Sequence, residues 1–115
     1  MTTSFDILGL GCVAVDDLLY IDSYPVPDAK VAIHRHDRQC GGLAATALVA
    51  ASRLGSTCAY AGTLGDDELS VFVRERFREE GVDTSLVRHR PNARPIHSYI
   101  IVDESAQTRT ILYDL

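Results

Sequence analysis

The sequence predicts an α/β fold: a partial parallel sheet with helices, carrying a small β-sheet as a lid. Three observations lead there. Strand-like apolar runs alternate with two segments of helical spacing, the order that builds a parallel sheet. Each helical segment opens at a Gly- or Asp-rich turn and stops at a glycine, Gly55 or Gly81. Short extra strands stand between the first strand and the first helix, and a hairpin follows the second helix. With 115 residues, 46% apolar and 23% charged, the chain can build one domain with its own core, but not two.

Taken in order, residues 5–15 read as a buried strand running into a turn, with Gly9 and Gly11 allowing close backbone approach. Residues 18–21 form a second short apolar run, ended by Pro25 and Pro27, which exclude helix. Residues 31–38 alternate apolar and polar, as a strand with one wet face does. Gly41-Gly42 opens an Ala-rich helix over 43–54, whose small side chains suit close packing on a sheet. Residues 57–64 read as a strand. Gly65-Asp66-Asp67 is a turn whose acids favour a helix start, and Leu69, Phe72, Val73 and Phe77 follow at helical spacing. Residues 82–88 lead into a loop with Pro91 and Pro95. Strands at 97–102 and 109–113 flank a hairpin loop at 103–108. The chain stops at Leu115 after an apolar strand, and two helices are too few to cover both faces of a parallel sheet. The expectation is a truncated domain.

Composition excludes some functions. Acids outnumber bases 16 to 11 and the net charge is −5, which argues against a nucleic-acid partner. An anionic substrate stays compatible, because a few local donors outweigh net charge. Cys12, Cys40 and Cys58 are odd in number and widely spaced, so they read as small buried hydrophobes rather than a zinc site or disulfide. The four histidines lack metal-ligand spacing, apart from His34 and His36 on one strand face, and a solvated lid face accounts for them; no metal site is expected. There is no basic leader and no apolar run of about 20 residues, so a soluble cytoplasmic chain without a membrane partner is expected.

Gly41-Gly42 admits two readings: a tight turn before a helix, or a place where a ligand touches backbone at a helix N-terminus. No Gly-Lys-Ser/Thr follows, so it is not a Walker A loop. Gly9-Leu10-Gly11 lacks the third glycine of a dinucleotide fingerprint.

The run from Cys40 to Gly55 resembles the first signature of the ribokinase (PfkB) family of carbohydrate kinases, G-G-x-x-x-N-x-A-x-x-x-x-x-L-G. Other family-like pieces follow in order: the strand Gly11 to Asp16, the turn Tyr24-Pro25-Val26-Pro27, Gly62-Thr63-Leu64-Gly65-Asp66-Asp67, Gly81-Val82-Asp83 and Arg109-Thr110-Ile111. The resemblance implies a ribokinase-like fold, with the whole chain, residues 1–115, as the N-terminal part of the kinase domain. Its lid strands would lie within 14–38 and 96–113. It further implies transfer of the γ-phosphoryl group of ATP, with Mg²⁺, to a sugar hydroxyl, and a homodimer formed through the lid. By the same resemblance Asp16 would hold two sugar hydroxyls, and Gly41 and Gly42 would present backbone to the sugar. Thr46 stands where the family has a sugar-binding Asn, and Arg109 where ketohexokinase-like members have an Arg facing the sugar or phosphate. Competing readings are a surface acid in a turn for Asp16, helix interior for Thr46 and an exposed strand charge for Arg109. Thr46 and Ala14 depart from the ribokinase pattern, and the segment is closer to the sulfofructose kinase branch, which implies a ketose or substituted ketose. Ser70 replaces a family glycine and reads as a packing change.

No Gly-Ala-Gly-Asp, the family's catalytic motif, occurs in the chain. The expectation is that catalytic and nucleotide-binding residues belong to a missing C-terminal half, and that this chain alone neither binds ATP nor turns over. The alternative is a non-catalytic sugar-binding or dimerisation module that has lost the ATP half.

Overall fold

The computed structural model describes residues 4–115. In chain order the elements are β1 (Ile7–Gly9), β2 (Ala14–Ile21), β3 (Arg35–Gly41), α1 (Leu43–Arg53), β4 (Cys58–Tyr60), β5 (Thr63–Leu64), α2 (Glu68–Glu79), β6 (Val82–Asp83), β7 (Arg88–His89), β8 (Ile96–Asp103) and β9 (Thr108–Asp114).

Strands β1, β4 and β6 form a parallel sheet in that order. Two successive crossovers in one direction place α1 and α2 on the same face of it. The helices touch each other there: Ser52 Oγ donates to the Glu80 carbonyl at 2.7 Å, and Arg53 pairs with Glu80. Between helices and sheet lies the core, with Ala45 and Leu48 from α1, Leu69, Val73 and Phe77 from α2, and Cys58, Tyr60 and Val82 from the sheet. Phe77 is fully buried and meets the Tyr60 ring at 5.2 Å. Helix ends fall where the glycines stand: Gly55 at φ 101° and Gly81 at φ 76° follow the two C-caps. Among the described residues no helix is long and apolar enough to cross a membrane.

The appended sheet has the order β3-β2-β8-β9, with β2 and β8 parallel and both outer pairs antiparallel. It stands away from the body. The radius of gyration is 16.5 Å, against about 13 Å for a compact chain of this length. Its far end is tied by Asp103, which is buried and accepts bonds from Ser105 Oγ, from Ala106 N and from Tyr24 N. These bonds close the hairpin and dock the Tyr24-Pro25 turn against it.

Several sequence expectations need correction. Residues 5–15 are not one buried strand. β1 covers three residues, with Ile7 and Leu8 exposed, and the chain breaks at residues 10–13 before β2. Asp16 therefore does not end the first strand; it is the third residue of the lid strand β2. The strand expected over 31–38 is Arg35–Gly41, and Val31 and Ile33 are exposed coil. The pairing partner decides this: β3 runs as long as β2 lies opposite it, from Gly41↔Ala14 to Arg35↔Tyr20. The strand expected over 57–64 is two short strands in different sheets, β4 beside β1 and β5 in a parallel pair with β7. Cys12 is exposed rather than buried.

Candidate functional site

Side chains alternate across a strand, so the register sorts the lid residues onto two faces. One face carries Asp16, with Gln39 and Ser98 directly across from it in β3 and β8, and Tyr113 of β9 across from Ser98. Asp16 is half-buried and takes part in no hydrogen bond or ion pair among the described residues. Its carboxylate leans over Gly41, where a Cβ would collide with Oδ2. Gly41 is thus glycine because Asp16 needs the space above it. Composition and motif spacing missed Gln39, Ser98 and Tyr113; only the pairing register brings them into one row with Asp16.

Gly42 serves a different purpose. It holds φ 92°, and a Cβ there would come within 2.6 Å of the Cys12 carbonyl oxygen. Ala44 N, in the first turn of α1, donates to that same oxygen at 3.2 Å. Gly42 lets the chain's own backbone pack on the helix start, so its missing side chain makes room for Cys12–Val13.

Thr46 is exposed on α1 and lines a cleft of about 630 Å³ between β3, α1 and α2, together with Gln39, Cys40, Val49, Arg53 and Arg76. Burial pushes the Cys40 thiol up to about 11, so it stays protonated at neutral pH. Gln39 links this cleft to the Asp16 row, since it lies across from Asp16. Arg109 is not brought to the site. It shares the Asp16 face, but it pairs with Val102, which lies beside Tyr20 at the far end of the sheet. Four residues along the strand and two strands across put it roughly 16 Å from Asp16.

The opposite face of the lid carries a charged hub. Asp17, its side chain 5% exposed, accepts bonds from Arg38 Nε at 2.7 Å and Nη2 at 2.9 Å. His97 Nε2 lies 2.6 Å and His36 Nε2 3.2 Å from its two oxygens. An ionised carboxylate only accepts, so both imidazoles donate through Nε2. The Arg38 guanidinium holds the Asp17 carboxyl well below the usual carboxylate range. The solvated lid face expected for the histidines therefore fails for His97, which is 13% exposed inside this hub.

Neither helix start fits a polyphosphate. At α1 the Gly42 cradle is filled by Cys12–Val13. At α2 the first turn and the residues before it are Asp66, Asp67 and Glu68, which repel anions.

The family model of the pfkB family carbohydrate kinases matches residues 11–115. A ketohexokinase from Mus musculus is 35% identical over 109 residues, covering 94% of this chain and 37% of that protein. A nucleoside kinase from Methanothermobacter thermautotrophicus is 30% identical over 115 residues, covering 99% of this chain and 33% of that protein. Among solved structures, a candidate ribokinase from Agrobacterium tumefaciens superposes with a TM-score of 0.84 at 29% identity, over 95% of this chain and 35% of that one. The chain spans roughly a third of the length of these relatives.

Proposed function

The chain belongs to the pfkB family of carbohydrate kinases, and on that premise we propose that it is the N-terminal, sugar-holding part of a cytoplasmic, ATP-dependent kinase that phosphorylates a sugar hydroxyl. The observation that carries the reading is Asp16: a carboxylate without a partner among the described residues, projecting from a lid strand into the space that the missing Cβ of Gly41 leaves open. A carboxylate with its lone pairs free accepts from two adjacent hydroxyls and so fixes both the position and the rotation of a sugar ring. Gln39 and Ser98 flank it with further polar groups, and Tyr113 offers a ring and a hydroxyl. Thr46 serves at the edge of the site through Gln39, and Arg109 takes no part.

Phosphoryl transfer depends on a nucleotide, Mg²⁺ and a base for the attacking hydroxyl. Neither helix start of this chain fits the nucleotide, so we place those groups in the portion of the relatives that this chain does not span. A ketose is the proposed substrate class, supported by the ketohexokinase likeness. Dimerisation is proposed through the face opposite Asp16, where Tyr99 and Leu112 pair across the strands and stand about half exposed.

An amide chemical-shift titration of the chain with D-fructose, D-ribose and adenosine tests the reading. Shifts clustered at Asp16, Gly41 and Ser98, saturable with one of the three and lost in Asp16→Ala, are expected. Unmoved resonances at those positions with all three ligands defeat it. A coupled ATP assay on the chain alone is expected to show no sugar-dependent turnover.

A further inference from the structure

We propose that Asp17 is a positioning residue for the Asp16 site: together with Arg38 it locks β2 to β3 and β8 from the far face of the lid, and so fixes where the Asp16 carboxylate stands. The proposal rests on the sugar-binding reading and deepens it.

Asp16 and Asp17 are consecutive in β2, so they project to opposite faces. Nothing on its own face holds Asp16, which has no partner among the described residues. Its direction is therefore set by the pleat and twist of β2. Those are set from behind. Arg38 and Asp17 lie directly opposite each other in the β2–β3 register, one step from the Gln39–Asp16 pair, so an error of angle at the first pair passes to the second. Arg38 engages both Asp17 oxygens, and His97 adds a tie to β8. One carboxylate thus binds three strands. Arg38 Nη1 also reaches Glu68 at the start of α2, at 3.4 Å, which relates the hub to the body.

Cohesion alone does not call for this arrangement. Burying a carboxylate is costly, and apolar residues of similar size often hold a fold as well or better. What the charged pair adds is direction: a planar fork on a carboxylate sets distance and angle together, whereas an apolar contact sets proximity only.

That difference is the test. In the double variant Asp17→Leu/Arg38→Met the thermal midpoint is expected to stay within about 5 °C of the wild type or to rise. Affinity for D-fructose is expected to fall about tenfold, the scale of one charge-assisted hydrogen bond. Should the double variant fail to fold, Arg38→Lys decides, since it keeps the charge and removes the fork; an affinity loss of about fivefold is expected. Wild-type affinity in the folded variant, with Asp16→Ala abolishing binding, overturns the proposal. Where D-ribose or adenosine is the one bound, the affinities above are read with it. If Asp16→Ala changes nothing, or the wild type binds none of D-fructose, D-ribose and adenosine, the sugar reading has failed separately. The positioning role is then read from the Asp16 Cγ and Gly41 amide resonances: displacement in the Asp17 or Arg38 variants upholds it, and wild-type positions overturn it.

Discussion

Replacing Gly41 by alanine should act almost entirely through Asp16. Gly41 is buried in β3 and its φ is not in the left-handed region, so its backbone accepts an alanine. The obstacle is the Asp16 carboxylate, whose Oδ2 would be overlapped and whose Cγ would lie 3.1 Å from the new Cβ. Asp16 must turn aside. An off-rotamer side chain costs about 0.5–1.5 kcal/mol. The alanine returns about 0.4–1 kcal/mol by restricting the unfolded chain. The net change in stability is therefore about 1 kcal/mol or less. Binding should suffer far more, because a turned carboxylate forfeits at least one charge-assisted hydrogen bond, about 1.5–3 kcal/mol, or roughly 10- to 150-fold in affinity. Urea denaturation of the wild type, Gly41→Ala, Asp16→Ala and the double variant isolates the contact. In the Asp16→Ala background the glycine replacement should become neutral or stabilising, giving a coupling of about 1 kcal/mol. Equal effects in both backgrounds would refute the reasoning, since Asp16 would then not occupy the space above Gly41.

Three further outcomes are expected. Ser70 is fully buried and accepts from Gly65 N at 2.9 Å, so Ser70→Ala should cost about 1–3 kcal/mol in chemical denaturation by leaving that N–H without a partner. The Asp17 carboxyl is held low in the folded chain, so its contribution to stability is full above its ordinary value of 3.8 and is lost as pH falls below that; thermal midpoints recorded from pH 6 down to pH 2 should decline, this one group adding at most about 1.4 kcal/mol per pH unit. Leu112→Lys, on the exposed face of the lid, should shift the proposed dimer to monomer in light scattering behind size exclusion, with a thermal midpoint changed by only a few degrees.

Much of the architecture was legible in residue order. Strands alternating with helices imply a parallel sheet, and Gly55 and Gly81 end the helices where the pattern breaks, because those signals act within a few residues. The motif run from Cys40 to Gly55, together with the other family-like pieces in their order along the chain, was likewise enough to indicate the pfkB family. The limits of β3 were not legible, because a strand extends only as far as a partner lies beside it, and its partner β2 is some twenty residues upstream. The site divided in the same way. Asp16 and Gly41 could be singled out from motifs, but why Gly41 must be glycine depends on which residue stands over it. Gly42 looked equivalent to Gly41, but its missing Cβ makes room for the Cys12 backbone rather than for Asp16. Arg109 looked like a site residue, and the register carried it to the far end of the lid. Asp16 and Asp17 are neighbours in sequence with identical chemistry. The pleat of one strand separates them, leaving one over a glycine with no partner among the described residues and burying the other under an arginine and two histidines. Local order along the chain determined the elements and the family, whereas long-range pairing decided which carboxylate is available to a ligand, because only register assigns a side chain to a face.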